Sequence, residues 1–120
     1  MLARDIMRKR VLTVRPETTL PELIKQLSER GISGAPVVGP QGDLIGIVSQ
    51  TDVVGHQHAD ATVASVMTPW TVSFEEDTDI KEVARQMLAK KIHRVIITRD
   101  GRMCGIITSM DLLRAFVHRP

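Results

Sequence analysis

The chain has few aromatic residues and no excess of charge of one sign. Among its 120 residues there is no tyrosine, and Trp70, Phe74 and Phe116 make up the aromatic set. A protein that binds nucleic acid is expected to show stacking aromatics or a basic face. Here 16 basic residues are offset by 14 acidic ones. The composition therefore argues against nucleic acid as a partner.

Cysteine and long apolar runs are also scarce. Cys104 alone cannot form an internal disulfide or a thiol-rich metal site, which fits a reducing compartment, and we interpret it as a small buried apolar residue. No apolar run approaches the roughly 18 residues that cross a bilayer, and the first five residues lack the apolar stretch of a secretory signal. We expect a cytoplasmic protein that does not enter a membrane.

An internal repeat runs through the sequence. Ile6-Met7 recurs as Val66-Met67 at a displacement of 60 residues, and the segment 46–49 (GIVS) recurs as 105–108 (GIIT) at a displacement of 59. Repeated units of this length share one supersecondary structure. We assign residues 1–58 to the first repeat with its linker and residues 59–120 to the second.

The sequence pattern of each repeat predicts a strand, a helix, two strands and a final helix. The spacing of a capping box places the starts of two amphipathic helices near Thr19 and Asp79, and Gly31 is a stop signal for the first. Turn residues between apolar runs predict a hairpin in each repeat. Because a unit of this size is marginal alone, we expect an α/β (α+β) fold in which two tandem β-α-β-β-α repeats pack sheet to sheet as one module.

This pattern resembles a pair of CBS (cystathionine β-synthase) domains over nearly the whole chain. The resemblance rests on a leading helix ending in Ile6-Met7 or Val66-Met67, a capped amphipathic helix, and Gly-apolar-apolar-Ser/Thr-x-x-Asp at residues 46–52 and 105–111. Paired CBS domains usually form sensor modules that bind adenosine-containing ligands in clefts between the repeats. The resemblance therefore implies a small-molecule adenosine ligand.

Ser49-x-x-Asp52 and Thr108-x-x-Asp111 have two interpretations. At a junction of strand and helix, a hydroxyl residue followed three positions later by a carboxylate is a capping box. The same geometry suits a ligand, because free N–H groups attract phosphate and a carboxylate accepts hydrogen bonds from ribose hydroxyls. Both interpretations remain open from sequence.

The resemblance implies a set of residues for each cleft. The cleft of Asp111 would comprise Thr108, His93 and Arg94, with Leu12, Ile32 and Ser33 at the adenine end. The cleft of Asp52 would comprise Ser49, Thr51, Thr68, Thr71 and Ile92. Met110 departs from the hydroxyl-bearing versions of its position. In the cleft of Asp52, Ser33-Gly34 replaces the basic pair His93-Arg94, so we expect a less charged ligand there or none.

Other conspicuous residues are interpreted more plainly. His56 and His58, with Asp60 close by, match a linker better than a zinc site, so no metal is expected. Trp70 could stack on an adenine ring or pack in a subunit interface. Arg8-Lys9-Arg10 is interpreted as a solvated turn, and His93-Arg94 as either a solvated strand edge or a phosphate contact.

Two functions from different classes remain. The first is a regulatory module that senses AMP, ADP or ATP, with S-adenosylmethionine or NAD as further candidate ligands, and signals in trans to an unknown regulated protein. The second is a scaffold or dimerisation module with empty clefts. An enzyme is not expected, because the sequence shows no metal cluster, phosphate-binding glycine loop or nucleophile with a partner. We also expect that no cofactor is required. The apolar face of the last helix predicts a homodimer and comprises Leu112, Leu113, Phe116 and Val117.

Overall fold

The computed structural model describes residues 1–56, 60–69 and 72–118. The described helices are α1 (Ala3–Ile6), α2 (Leu20–Arg30), α3 (Gln50–Val53), α4 (Val63–Val66), α5 (Ile80–Lys90) and α6 (Ser109–His118). The described strands are β1 (Gly34–Val38), β2 (Leu44–Ser49), β3 (Thr68–Pro69), β4 (Ser73–Glu75), β5 (Arg94–Arg99) and β6 (Arg102–Thr108). They form two compact units: unit 1 comprises Met1–Val11 and Val72–Pro120, and unit 2 comprises Leu12–Thr71.

Unit 2 contains a three-stranded sheet in the order β1-β2-β3. β2 is antiparallel to both neighbours, and Gly34 of β1 lies opposite Ser49 of β2. Val14 adds a parallel bridge to Val37. The strand predicted around Leu12 to Val14 is therefore reduced to one bridging residue.

Unit 1 contains the second three-stranded sheet, in the order β4-β5-β6. β4 runs parallel to β5, whereas β5 and β6 form the predicted hairpin, with Arg94 opposite Thr108. Arg8 adds an antiparallel bridge to Ile106. One antiparallel sheet and one mixed sheet, together with the helices, confirm the α/β fold class, and the packing of the sheets against each other stays a prediction.

The two long helices begin at the predicted caps. The Thr19 hydroxyl accepts a hydrogen bond from the Glu22 amide at 3.4 Å, and the Asp79 carboxylate accepts one from the Lys81 amide at 2.8 Å. These bonds satisfy amides that have no partner within the helix. At the other end, Gly31 has a φ of 63°, the left-handed conformation that the stop signal predicted.

The buried apolar side chains form two clusters, one in each unit. The cluster of unit 2 includes Leu20, Leu23, Leu27, Val37 and Val48. The cluster of unit 1 includes Ile80, Val83, Met87, Val95 and Ile107. The amphipathic stripes of α2 and α5 thus supply much of both cores, and burial of such side chains contributes about 1.5 to 3 kcal/mol each before entropy costs.

The compact units do not follow the order of the sequence repeats. Residues 1–11, the leading segment of the first repeat, pack with residues 72–118, the main part of the second repeat. The leading segment of the second repeat, which contains α4, packs with the main part of the first repeat. Glycines in β6 and β2 permit this, because a Cβ on Gly105 would lie 2.8 Å from Cγ of Met7 and one on Gly46 would lie 2.9 Å from Sδ of Met67. The main part of each repeat therefore packs with the leading segment of the other repeat. The boundary between residues 58 and 59 stays a prediction about the repeats.

Two further observations concern the length of the described helices and the environment of Cys104. None of their helices is long and apolar enough to cross a membrane. Cys104 is half-buried, and its thiol lies 3.9 Å from Sδ of Met7. Burial, followed by the charge of Glu76, raises the pKa of this thiol, which disfavours the reactive thiolate.

Candidate functional site

Asp111 is the third residue of α6 and forms a capping box with Thr108, the residue before the helix. Its Oδ2 accepts a hydrogen bond from the Thr108 amide at 2.9 Å, and its own amide donates to Oγ1 of Thr108 at 3.2 Å. Strand β6 ends and the helix begins between these residues, so the reciprocal bonds satisfy amides left free at the junction. The capping interpretation of Thr108-x-x-Asp111 is confirmed.

The same carboxylate is also held by two arginines. Oδ1 of Asp111 lies 3.1 Å from Nε of Arg8 and 3.1 Å from Nη1 of Arg114. Asp111 is 8% exposed, whereas both arginine side chains are more than half exposed. Burial raises the pKa of Asp111, but hydrogen bonds from Thr108 and Arg8 outweigh it, so the net pKa is lowered and the group is ionised at neutral pH.

Arg8 corrects the interpretation of its segment as a solvated turn. Its backbone is bonded to Ile106 in both directions, at 2.9 and 3.0 Å, and its guanidinium is paired with Asp111. The signal for this was present, because the displacement of 60 residues aligns Arg8 with Thr68, a predicted site residue. Arg114 was also missed, although its position three residues after Asp111 is a spacing at which helical side chains meet.

His93 and Arg94 lie beside this junction. The backbone of Arg94 pairs with Thr108 across the sheet, and the His93 carbonyl accepts a hydrogen bond from the Ser109 amide at 2.9 Å. The His93 side chain is exposed and that of Arg94 is half-buried. Among the described residues Arg94 has no ion pair, so its charge is available to an anion.

Asp52 caps α3 in the same way within unit 2. Its Oδ2 accepts from the Ser49 amide at 2.8 Å and from the Ser49 hydroxyl at 3.2 Å, and that hydroxyl also lies 2.8 Å from Oγ1 of Thr51. In the described ranges Asp52 forms no ion pair. Thr68 lies opposite Ile47, two residues before Ser49 on the same strand.

Ser33-Gly34 takes the structural place of His93-Arg94. The Ser33 carbonyl accepts a hydrogen bond from the Gln50 amide at 2.9 Å, matching the bond from Ser109 to His93. A Cβ on Gly34 would come within 2.9 Å of the Val48 carbonyl oxygen. The close approach of Val48 is thus a steric reason for glycine at position 34, and the less charged or absent ligand of this cleft stays a prediction.

The remaining predicted residues are divided between the units. Leu12 and Ile32 lie in unit 2, and Ile92 lies in unit 1, half-buried against its core. Met110 is 54% exposed on α6. Thr71 and Trp70 lie outside the described residues, as does His58. The grouping of these residues into clefts stays a prediction.

Two surface cavities of unit 1 lie at the far end of the β5–β6 hairpin. They measure about 410 and 630 Å³, and the larger is lined in part by Lys9, Arg102 and Cys104. Neither is lined by a predicted site residue. Within the described part of the chain no group of three metal-ligating side chains was found.

The chain belongs to the CBS domain family, whose model matches residues 3–59 and 63–118. Inosine-5'-monophosphate dehydrogenase of Methanocaldococcus jannaschii is 34% identical over 113 residues, covering 93% of this chain and 23% of that enzyme. The first curated relatives are longer, and the chain spans between 23% and 60% of the length of three of them.

Solved CBS domain pairs resemble the whole chain. CBSX2 in complex with AMP has a TM-score of 0.85 at 26% identity, covering 97% of this chain and 96% of that one. A CBS domain pair in complex with 5'-methylthioadenosine and S-adenosyl-L-methionine has a TM-score of 0.83 at 29% identity, covering 98% and 96%. The chain is therefore a tandem CBS pair.

Proposed function

We propose that this CBS pair is a regulatory module that binds an adenosine nucleotide through Asp111. The supporting observation is an ionised, nearly buried carboxylate at the junction of β6 and α6, beside a strand that begins with Arg94, which has no ion pair among the described residues. A carboxylate can accept hydrogen bonds from ribose hydroxyls, and Arg94 can donate to a phosphate. CBS pairs with bound AMP or bound S-adenosyl-L-methionine support this ligand class.

The ligand is AMP, ADP or ATP in this proposal, and the protein acts on another chain. A CBS pair is an accessory part of larger enzymes such as the dehydrogenase relative, of which this chain covers 23%. Binding would stabilise one geometry of the pair and change the surface that a partner meets. Leu12, Ile32 and Ser33 remain the expected contacts for adenine.

The decisive experiment is calorimetric titration of AMP and adenosine into the parent and Arg94→Ala. We expect the variant to lose about ten-fold in affinity for AMP and little for adenosine, because only AMP carries the phosphate. Arg102→Ala is the matched control, since it removes the same charge from the far end of the β5–β6 hairpin. Equal losses for both ligands in Arg94→Ala would contradict a phosphate contact.

A ligand-free scaffold is the second candidate function. It is favoured by one observation: both oxygens of Asp111 already have partners within the protein. A thermal melt separates the scaffold from the nucleotide-binding module. A ligand at 100 times its dissociation constant adds roughly 2.7 kcal/mol to the free energy of unfolding, which raises the melting midpoint by on the order of 10 °C. If AMP, ADP, ATP, S-adenosylmethionine and NAD all leave the midpoint unchanged, the scaffold is correct.

We also propose that the protein forms a homodimer through α6. This helix leaves Leu113, Phe116 and Val117 exposed by 55%, 40% and 74%. Exposed apolar side chains clustered on one helix are typical of an interface. Light scattering is expected to give twice the mass of the 13.3 kDa chain, and Val117→Asp with Leu113→Asp is expected to return it to the monomer mass.

A further inference from the structure

We propose that Arg8 determines the ligand class of the Asp111 site, so that the site selects a phosphate-bearing nucleotide over uncharged or sulfonium-bearing adenosine derivatives. This inference rests on the proposed function. It names which of two ligand chemistries, phosphate ester or sulfur-substituted adenosine, this particular chain is built to take.

A ribose hydroxyl that binds Oδ1 of Asp111 competes with arginine. Oδ2 is engaged by the Thr108 amide, and Oδ1 is shared by Arg8 and Arg114 at 3.1 Å each. The carboxylate is 8% exposed, so the two guanidiniums and the cap cover most of it. Hydroxyl groups that bind Oδ1 must displace at least one guanidinium.

A displaced Arg8 side chain stays beside the site. Its backbone is hydrogen-bonded to Ile106 in both directions, at 2.9 and 3.0 Å. Ile106 lies two residues before Thr108 on β6, and Met7 packs on Gly105 of the same strand. The guanidinium can swing away from Asp111, but the arginine cannot leave the end of this strand.

The charge of the ligand then decides the outcome. Neutral ribose hydroxyls replace an ion pair with hydrogen bonds to the carboxylate alone and leave a cation without its partner. A phosphate on the same ligand offers the released guanidinium a new and bidentate partner. A sulfonium would instead add a positive charge near Arg8, Arg94 and Arg114. Ion-pair exchange therefore favours AMP over adenosine, 5'-methylthioadenosine and S-adenosylmethionine.

Unit 2 provides an internal comparison. Thr68 bridges to Ile47 there as Arg8 bridges to Ile106 in unit 1. In the described part of unit 2 Asp52 carries no ion pair, so a threonine at this position is compatible with a stable cap. Arg8→Thr is thus a substitution that the fold already accepts at the corresponding position.

The test is titration of AMP, adenosine and 5'-methylthioadenosine into the parent, Arg8→Thr and Arg8→Lys. In Arg8→Thr we expect about ten-fold weaker AMP binding and about three-fold tighter binding of the two uncharged ligands, because one electrostatic contact is lost and one competitor is removed. Arg8→Lys keeps the charge and is expected to retain most of the preference. Arg15→Thr, at an exposed arginine of unit 2 that pairs with Glu17, should match the parent.

The outcomes separate this inference from the proposed function. If the parent binds AMP and Arg8→Thr shows unchanged or equally reduced affinity for all three ligands, the inference is wrong while nucleotide binding stands. If the parent binds none of them, the proposed function itself fails. A parent preference for AMP that declines with added salt, and that is smaller and less salt-dependent in Arg8→Thr, supports the inference.

Discussion

Asp111 and Asp52 end the same seven-residue pattern, yet the two carboxylates lie in different electrostatic surroundings. Both cap a helix through the residue three positions before them. Asp111 also holds two arginines, whereas Asp52 holds none among the described residues. The motif determines the cap, and in our proposal the surroundings of the carboxylate determine which ligand it accepts.

The two repeats differ at three corresponding places around these carboxylates. Thr68 stands where Arg8 stands, Ser33-Gly34 stands where His93-Arg94 stands, and Gly55 has the place of Arg114. α3 ends at Val53, and Gly55 follows it with a φ of 89°, whereas α6 continues for ten residues and carries Arg114 on its first turns. The short helix therefore removes one guanidinium simply by ending early.

The largest expected effect comes from removing the two carboxylates in turn. Asp111→Ala loses a cap and two ion pairs and should cost about 2 to 3 kcal/mol, whereas Asp52→Ala loses a cap alone and should cost about 1 kcal/mol. Urea denaturation measures both. Equal losses would show that the arginines contribute nothing to stability, and the comparison would then fail.

A smaller effect is expected at the two glycines under the leading segments. Gly105→Ala places a methyl group against Met7 and should cost about 1 to 2 kcal/mol, as should Gly46→Ala against Met67. Only Gly105→Ala should also weaken the preference for AMP, because it displaces the segment that carries Arg8. If Gly46→Ala changes that preference as much, the two leading segments are not independent.

The smallest expected effect is on the free energy of unfolding at acidic pH. The pKa of Asp111 is lowered in the folded protein, because the hydrogen bonds from Thr108 and Arg8 outweigh burial. Its stabilisation is therefore complete above the unfolded pKa of about 3.9 and is lost as the pH falls through the lower folded value. The free energy of unfolding of Asp111→Asn should fall less steeply than that of the parent below about pH 5. Parallel curves would show that Asp111 does not contribute to acid unfolding.

Local features of the chain were predictable because short-range chemistry decides them. The starts of α2 and α5, the stop at Gly31, both hairpins and both capping boxes depend on residues within a few positions of one another. The last helices were predicted alike, but α3 is four residues long and α6 is ten. The internal repeat made each such feature visible twice.

The sequence by itself determined the family, the repeats and the two capping carboxylates, because hydrophobic spacing and turn chemistry repeat at a fixed displacement. Only the tertiary structure decided which leading segment lies on which body. Arg8 is 103 residues from Asp111 in the chain, and no local rule predicts that a bridge to Ile106 brings its guanidinium to that oxygen. The charge around the Asp111 carboxylate is thus a long-range property, because it depends on the close approach of Met7 to Gly105.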